Sequence, residues 1–453
     1  MLEKDSLKIL QQALERLDAG FQSLPATPGA AGDLSRISQV LAETADRLQQ
    51  NYPYFHPFYA GQMLKPPHPV ARLAYALAQW INPNNHALDG GRASSAMEKE
   101  AVAEIARMFG WTEYLGHLTG GGTMANLEAL WIAGQLAPGK TILASEQAHY
   151  THQRMCGVLQ LTFESVACDD RARMDVDALK KRLSRGDVGA VVATMGTTAT
   201  GSADPLPDIL SLQEQYGFRI HCDAAYGGYF ILAGNLLSET ANAFAAMTNA
   251  DSIVIDPHKH GLQPYGCGCV LFRNPAVGRL YRHDSPYTYF SSKELHLGEI
   301  SLECSRPGAA AVALWATQRL LPLEKNGEFA ASLGDCRAAA LDFHQRLAAD
   351  TRFFSGFPPE LDIVVFAPAA SSVSSSSALS RRIFDAAASR QLHLALAELP
   401  IRFLRNPSLE RYEDETDVTC LRSVLMKPEH RQWLDRIWST LAESTDEVLQ
   451  NQA

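Results

Sequence analysis

Short apolar runs spaced by helical stretches constrain this chain most: Thr141 to Ala144, Ala190 to Thr194, Arg219 to Cys222 and Ser252 to Ile255. A hairpin joins antiparallel strands in a few residues, whereas parallel neighbours need a crossover of about a dozen or more. Strands this short, alternating with helical patterns from about residue 95 to 260, predict crossover units and a largely parallel sheet buried on both faces. Helices are expected over Ser95 to Phe109 and Met124 to Gly134 among them.

The flanking segments have other textures. Met1 to Gly20 interleaves leucines with Lys4, Asp5, Lys8, Glu15 and Arg16 and reads as an amphipathic helix. Asn51 to Pro69 is too rich in aromatic residues and proline for a regular helix. A helix is expected over Ala309 to Leu320. Beyond Leu321 come a helix over Glu328 to Ala349, strands at Asp362 to Phe366 and Leu392 to Leu396, a helix over Ala378 to Ser389 and a last one from Glu429, an α+β pattern. The serine run Ser371 to Ser377 reads as a solvated loop. A chain of 453 residues exceeds what one core usually holds. The expected division is an N-terminal arm at 1–75, a large domain at 76–320 and a small C-terminal domain at 321–453.

A net charge of −10 leaves no global positive field for nucleic acid or anionic lipid. No apolar stretch approaches the roughly 20 residues that span a bilayer, and the N-terminus lacks a secretory layout, so a cytoplasmic protein is expected. Eight scattered cysteines argue for buried thiols, and Cys267-Gly-Cys269 lacks the second pair a zinc site needs.

Chemistry concentrates where strands end. Thr119-Gly120-Gly121-Gly122-Thr123 opens directly into a helical sequence; bare N–H groups at a helix start form an anion cradle, although a glycine run also serves as a plain loop. His149 follows one apolar run, and Thr194 to Gly201 is a hydroxyl-rich loop after another. Asp223 closes a third, where ligands sit in open parallel sheets, unless it caps the next turn. Lys259 follows the fourth in Asp256-Pro-His-Lys259. A phosphate cradle, a flat ring, a carboxylate and a lysine meet the needs of pyridoxal 5′-phosphate: an anion site, a stacking partner, a partner for the pyridine nitrogen and an amine for a Schiff base.

The strings Thr119-Gly-Gly-Gly-Thr-Met-Ala-Asn126, Gly196-Thr-Thr-Ala-Thr-Gly-Ser-Ala-Asp-Pro205, His221-Cys-Asp-Ala-Ala-Tyr-Gly-Gly228 and Asp256-Pro-His-Lys259 resemble those of the group II pyridoxal-phosphate-dependent amino-acid decarboxylases. The resemblance runs from about Asn51 to Pro307. It implies an α/β chain of the type I pyridoxal-phosphate-dependent transferase fold, with a large, mostly parallel sheet domain and a smaller α+β C-terminal domain, assembled as a homodimer. By that resemblance Lys259 carries the cofactor, Asp223 pairs with its ring nitrogen, and His149 and Ala225 lie on its two faces. Gly122, Thr123 and His258 would contact the phosphate, and Thr197 the ring. A lysine among apolar groups is expected.

Departures from the family include Met124, where many members have glutamate, and His260, where an aromatic residue is usual. The proton donor is sought at Tyr287 or Tyr289, and Ser305-Arg306-Pro307-Gly308 resembles a family string in which Arg306 reads as structural or interfacial. The cluster Tyr52, Tyr54, Phe55, His56, Phe58 and Tyr59 would form either part of the substrate wall or packing at an interface. An aromatic wall favours an aromatic L-amino acid. Two rival chemistries share the scaffold. A carbon–carbon lyase of the sphingoid-phosphate type needs basic residues where residues 51–92 offer Lys65, Arg72 and Arg92. An aminotransferase wants a carboxylate-binding arginine, with Arg402 or Arg422 available.

Overall fold

In the computed structural model of the chain, residues 4–25, 32–281, 296–404 and 415–451 are described. Seven strands form the larger sheet: β1 (Leu115–Thr119), β2 (Thr141–Ser145), β3 (Phe163–Val166), β4 (Val188–Thr194), β5 (Arg219–Asp223), β6 (Ser252–Ile255) and β7 (Gly268–Phe272). Their order is β1-β7-β6-β5-β4-β2-β3. The block β6-β5-β4-β2-β3 is parallel, while β7 runs antiparallel to both its neighbours.

Strand alternation explains the helical layers. Ile142, Ala144, Ala190 and Val192 pack with Leu130, Ala133 and Met155 of helices Gly122–Leu136 and Thr151–Val158. Their immediate neighbours Leu143, Val191 and Ala193 face the opposite layer, with Leu179, Leu206 and Ile209 of helices Val176–Leu183 and Leu206–Tyr216. A period of two thus buries both faces, as a parallel sheet between helices requires.

A second, antiparallel sheet contains β8 (Phe353–Ser355), β9 (Ile363–Pro368), β10 (Ala395–Pro400) and β11 (Asp417–Val424), in the order β10-β11-β9-β8. Helices Glu328–Ala349, Val373–Ser389 and His430–Gln450 cover it with Phe343, Ile383, Ile437 and Leu441. Leu361, Ile363, Val424 and Met426 pack into the main core and join the two units.

Several expectations change. The serine run is not a loop: Ser372 caps helix Val373–Ser389 by accepting from the Ser375 N–H, and Ser376 and Ser377 are buried within it. Serine is a poor interior helix former but a strong N-cap, so composition alone misplaces this start. Helix Leu88–Met108 begins seven residues before Ser95, with non-helical geometry at Gly91. β10 begins at Ala395, three residues after Leu392. Seven cysteines are buried and free, but Cys304 is exposed. The aromatic segment packs on the C-terminal unit, with His56 and Phe58 edge-on to Trp433 and Tyr52 against His393. Among the described residues no helix is long and apolar enough to cross a membrane, and no cluster of ligand-type side chains could hold a metal.

Candidate active site

Four parallel-sheet strand ends and one glycine loop converge on a cavity of about 700 Å³. β1 ends at Thr119, and helix Gly122–Leu136 starts three residues later with no side chain capping it. Gly121, at φ +144°, makes that turn, a conformation that side chains rarely adopt. The start of a 15-residue helix therefore faces the cavity with uncapped N–H groups, which favour an anion.

Asp223, the last residue of β5, is almost wholly buried. Its Oδ2 accepts from His152 Nε2 at 2.8 Å and its Oδ1 from the Ala225 N–H at 3.1 Å. Burial alone would raise its pKa, but the His152 hydrogen bond and the charge of Lys259 outweigh it and hold the carboxyl below the ordinary range. His221 is itself fixed between Ser252 Oγ and Asn126 Oδ1, and burial pushes its pKa down to about 3. His149 lines the cavity with Nδ1 2.6 Å from Thr151 Oγ1. Burial lowers its pKa against the opposing charge of Asp223.

Lys259 is not set among apolar groups. Its Nζ lies 3.0 Å from Asp256 Oδ2, and the other oxygen of Asp256 is buried without a hydrogen-bond partner among the described residues. His258 also lines the cavity and holds the Cys267 carbonyl through Nδ1 at 2.8 Å. Its pKa is lowered by burial, with Asp256 opposing.

The structure thus brings Gly122, Thr123, His149, Asp223, Ala225, His258 and Lys259 to one cavity. It does not bring Thr197, which is fully buried behind the wall and bonded to Thr200 and the Ser202 N–H; its neighbours Gly196 and Thr198 line the cavity instead. Tyr287 and Tyr289 lie outside the described residues. The aromatic cluster at 52–59 lines none of the cavity. Arg306 is structural: buried, it bonds Glu98, the Leu118 carbonyl and the Asn85 carbonyl. His152, Asp256 and Glu303 were not singled out from the sequence. A second histidine on the helical turn after His149 was the available signal for His152.

Residues 131–368 match the family described as the pyridoxal-dependent decarboxylase conserved domain, which is more than half of the chain. The chain belongs to this family. It is accordingly a pyridoxal 5′-phosphate-dependent amino-acid decarboxylase. It is 26% identical to an L-tyrosine decarboxylase of Enterococcus faecium, over 89% of this chain and 87% of that one. A probable L-tyrosine/L-aspartate decarboxylase of Methanothermobacter thermautotrophicus is 29% identical over 57% of this chain and 70% of its own length. The structure of Oryza sativa TDC with PLP and tryptamine superposes with a TM-score of 0.78 over 98% of this chain and 99% of that one, at 16% identity, a likeness of fold.

The cavity fits that cofactor. An uncapped helix start suits a phosphate, and an ionised carboxylate held at a strand end suits a protonated ring nitrogen. Thr194 Oγ1, on the cavity wall, is buried with no hydrogen-bond partner among the described residues and is available to a ligand.

Proposed function

We propose that the protein decarboxylates an L-amino acid with an uncharged, preferably aromatic, side chain, using Lys259 for covalent attachment of the cofactor and Asp223 for its ring nitrogen. The bound cofactor supplies an electron-withdrawing ring that accepts the electron pair left as carbon dioxide departs. The protein's part is positional and electrostatic. Asp223, kept ionised by His152, would favour a proton on the cofactor's ring nitrogen. His149 and Ala225 bound the ring slot, and Gly122, Thr123 and His258 supply the anion site. Lys259 Nζ, steadied by Asp256, is delivered from the turn after β6.

One observation carries the substrate reading. Among the described residues, no lysine or arginine other than Lys259 lines the cavity, whereas Met124, Leu127, Tyr150, Met155 and Tyr226 do. A side-chain carboxylate would be desolvated there without a cation, at a cost an uncharged ring avoids. The aminotransferase alternative loses support, because Arg422 spends its hydrogen bonds on the Ala199, Thr198 and Gly61 carbonyls and on Gln62, and Arg402 pairs with Glu146. The lyase alternative loses it too: none of Lys65, Arg72 and Arg92 lines the cavity.

Carbon dioxide release from L-tyrosine, L-phenylalanine and L-tryptophan, compared with L-aspartate and L-glutamate, tests the reading. Faster release from an acidic substrate refutes it, and turnover that needs a keto acid and releases no carbon dioxide refutes decarboxylation.

The proposal includes a cytoplasmic homodimer with the 1–75, 76–320 and 321–453 division. Helix Leu34–Leu48 has no buried residue, and Leu34, Val40, Leu41 and Leu48 are each more than half exposed. An apolar stripe of that kind is covered in a stable assembly. All eight cysteines are free, which suits a reducing compartment.

A further inference from the structure

Asp223 and Lys259 would hold opposite ends of one rigid cofactor, yet one ends β5 and the other stands in the turn after β6. Three residues after Asp223 comes Tyr226, and immediately after Lys259 comes His260. Both reach one carboxylate. The Tyr226 hydroxyl donates to Asp362 Oδ1 at 2.5 Å, and His260 Nε2 lies 3.2 Å from Asp362 Oδ2. Asp362 precedes β9, so it belongs to the C-terminal sheet, and its own carbonyl accepts from the Leu425 N–H. Tyr226 and Phe230 clamp the His260 ring edge-on, each at 4.9 Å between centroids.

This cluster is costly to build. Asp362 and His260 are wholly buried, His260 Nδ1 has no hydrogen-bond partner among the described residues, and the 3.2 Å approach of Nε2 to Asp362 Oδ2 is a close polar contact without hydrogen-bond geometry, so Tyr226 makes the one side-chain hydrogen bond to this carboxylate among the described residues. Well-packed apolar residues would generally hold such a junction as well or better, so buried polar groups retained there point to a role beyond cohesion. Lys65, Arg422, Cys336 and His430 are further charged or titratable groups bearing on Asp362 or Tyr226, and none of them hydrogen-bonds either side chain among the described residues. Tyr226 also lines the cavity, which joins the cluster to the site.

We infer that Asp362 is a positioning residue: by gripping Tyr226 and His260 from the C-terminal sheet, it fixes the spacing between the Asp223 loop and Lys259. A carboxylate that binds both loops ties that spacing to the seating of the C-terminal unit. Misplacement of reacting groups by about 1 Å can cost on the order of a hundredfold in rate, so small slippage here is read out in turnover.

The inference rests on the assignment of Lys259 and Asp223. Failure of that assignment is recognised separately, by Lys259→Ala keeping the cofactor's bound absorbance. The test uses Tyr226→Phe, Asp362→Asn and the double variant in the full-length holoenzyme. Turnover is measured beside the visible circular dichroism of the bound cofactor, which reports its orientation, and beside the melting temperature.

Each single change is expected to lower kcat at least about tenfold with KM within about threefold, and to alter the dichroic band. The double variant is expected to lose little more than the worse single, because one contact is removed twice. Tyr226→Phe keeps the ring and loses only a hydroxyl, so it carries the test where Asp362→Asn fails to fold. A Tyr226→Phe enzyme with kcat and dichroism within about twofold of the parent overturns the inference, whatever its melting temperature.

Discussion

His152→Leu isolates what keeps Asp223 charged. In the parent the imidazole, itself fully buried, donates to Asp223 Oδ2 at 2.8 Å, and this bond is the largest of the influences opposing desolvation. Leucine fills comparable space and donates nothing. A hydrogen bond to a charged group contributes roughly 1.5–3 kcal/mol, and about 1.4 kcal/mol is a factor of ten, so turnover at neutral pH should fall roughly ten- to a hundredfold. The pH dependence has a definite sign. The folded-state pKa of Asp223 is depressed, so its charged form is present above the ordinary carboxylate value and is lost only as pH falls through the lower folded value. Without His152 that loss begins at higher pH, and the acid limb of kcat moves upward. His152→Gln, whose amide can still donate, should recover part of both effects. The assay is carbon dioxide release from pH 4 to 8 at saturating cofactor, with occupancy checked by absorbance. A leucine variant within about threefold of the parent at pH 7, with an unmoved acid limb, refutes the reasoning.

Lys259→Ala should abolish turnover and the absorbance of covalently held cofactor while circular dichroism shows an intact fold, since the lysine side chain is only partly buried and its removal opens no core cavity. Normal absorbance and activity in that variant would refute its role. Asp223→Asn should retain cofactor and lose several orders of magnitude in kcat, because a neutral amide does not favour a proton on the ring nitrogen; a loss under about threefold excludes the assignment. Gly122→Ala should weaken cofactor binding at least about tenfold by equilibrium dialysis. The added Cβ would sit 2.6 Å from Asp256 Oδ2, displacing the carboxylate that steadies Lys259, and unchanged affinity would show that the helix start is not the anion site.

The parallel sheet was legible because its signal is local. β6 falls on the expected residues, and β2, β4 and β5 differ from them by only one or two residues, since short runs rich in apolar residues between helical patterns admit few other readings. β3, with the pattern Phe-Glu-Ser-Val and only Val166 buried, carries no such run and went unrecognised. In the site, residues lying in glycine-rich or strand-end strings were legible. His152 was not, because its meaning depends on β5 lying beside the helix that carries it, and Asp362 was not, because its partners are 136 and 102 residues away. Thr197 does not line the cavity whereas Thr198 does: in a tight loop of four hydroxyl residues, the backbone turn decides which side chain faces the cavity.

The charges around the cavity tie the substrate reading to the chain's acidity. Asp223, Asp256 and Glu303 all line it, and Glu303 already accepts the Gly120 N–H at 2.9 Å. Asp256 pairs with Lys259 at 3.0 Å, and Asp223 accepts a hydrogen bond from His152. Glu303 has no cationic partner among the described ion pairs, so three carboxylates against the one lysine leave a net negative field at the wall. That field repels an acidic side chain at the distance of a few ångströms where screening by salt is weakest. Among the described residues the uncapped helix start is the feature of this cavity that favours an anion, and in the proposed function it goes to the cofactor's phosphate.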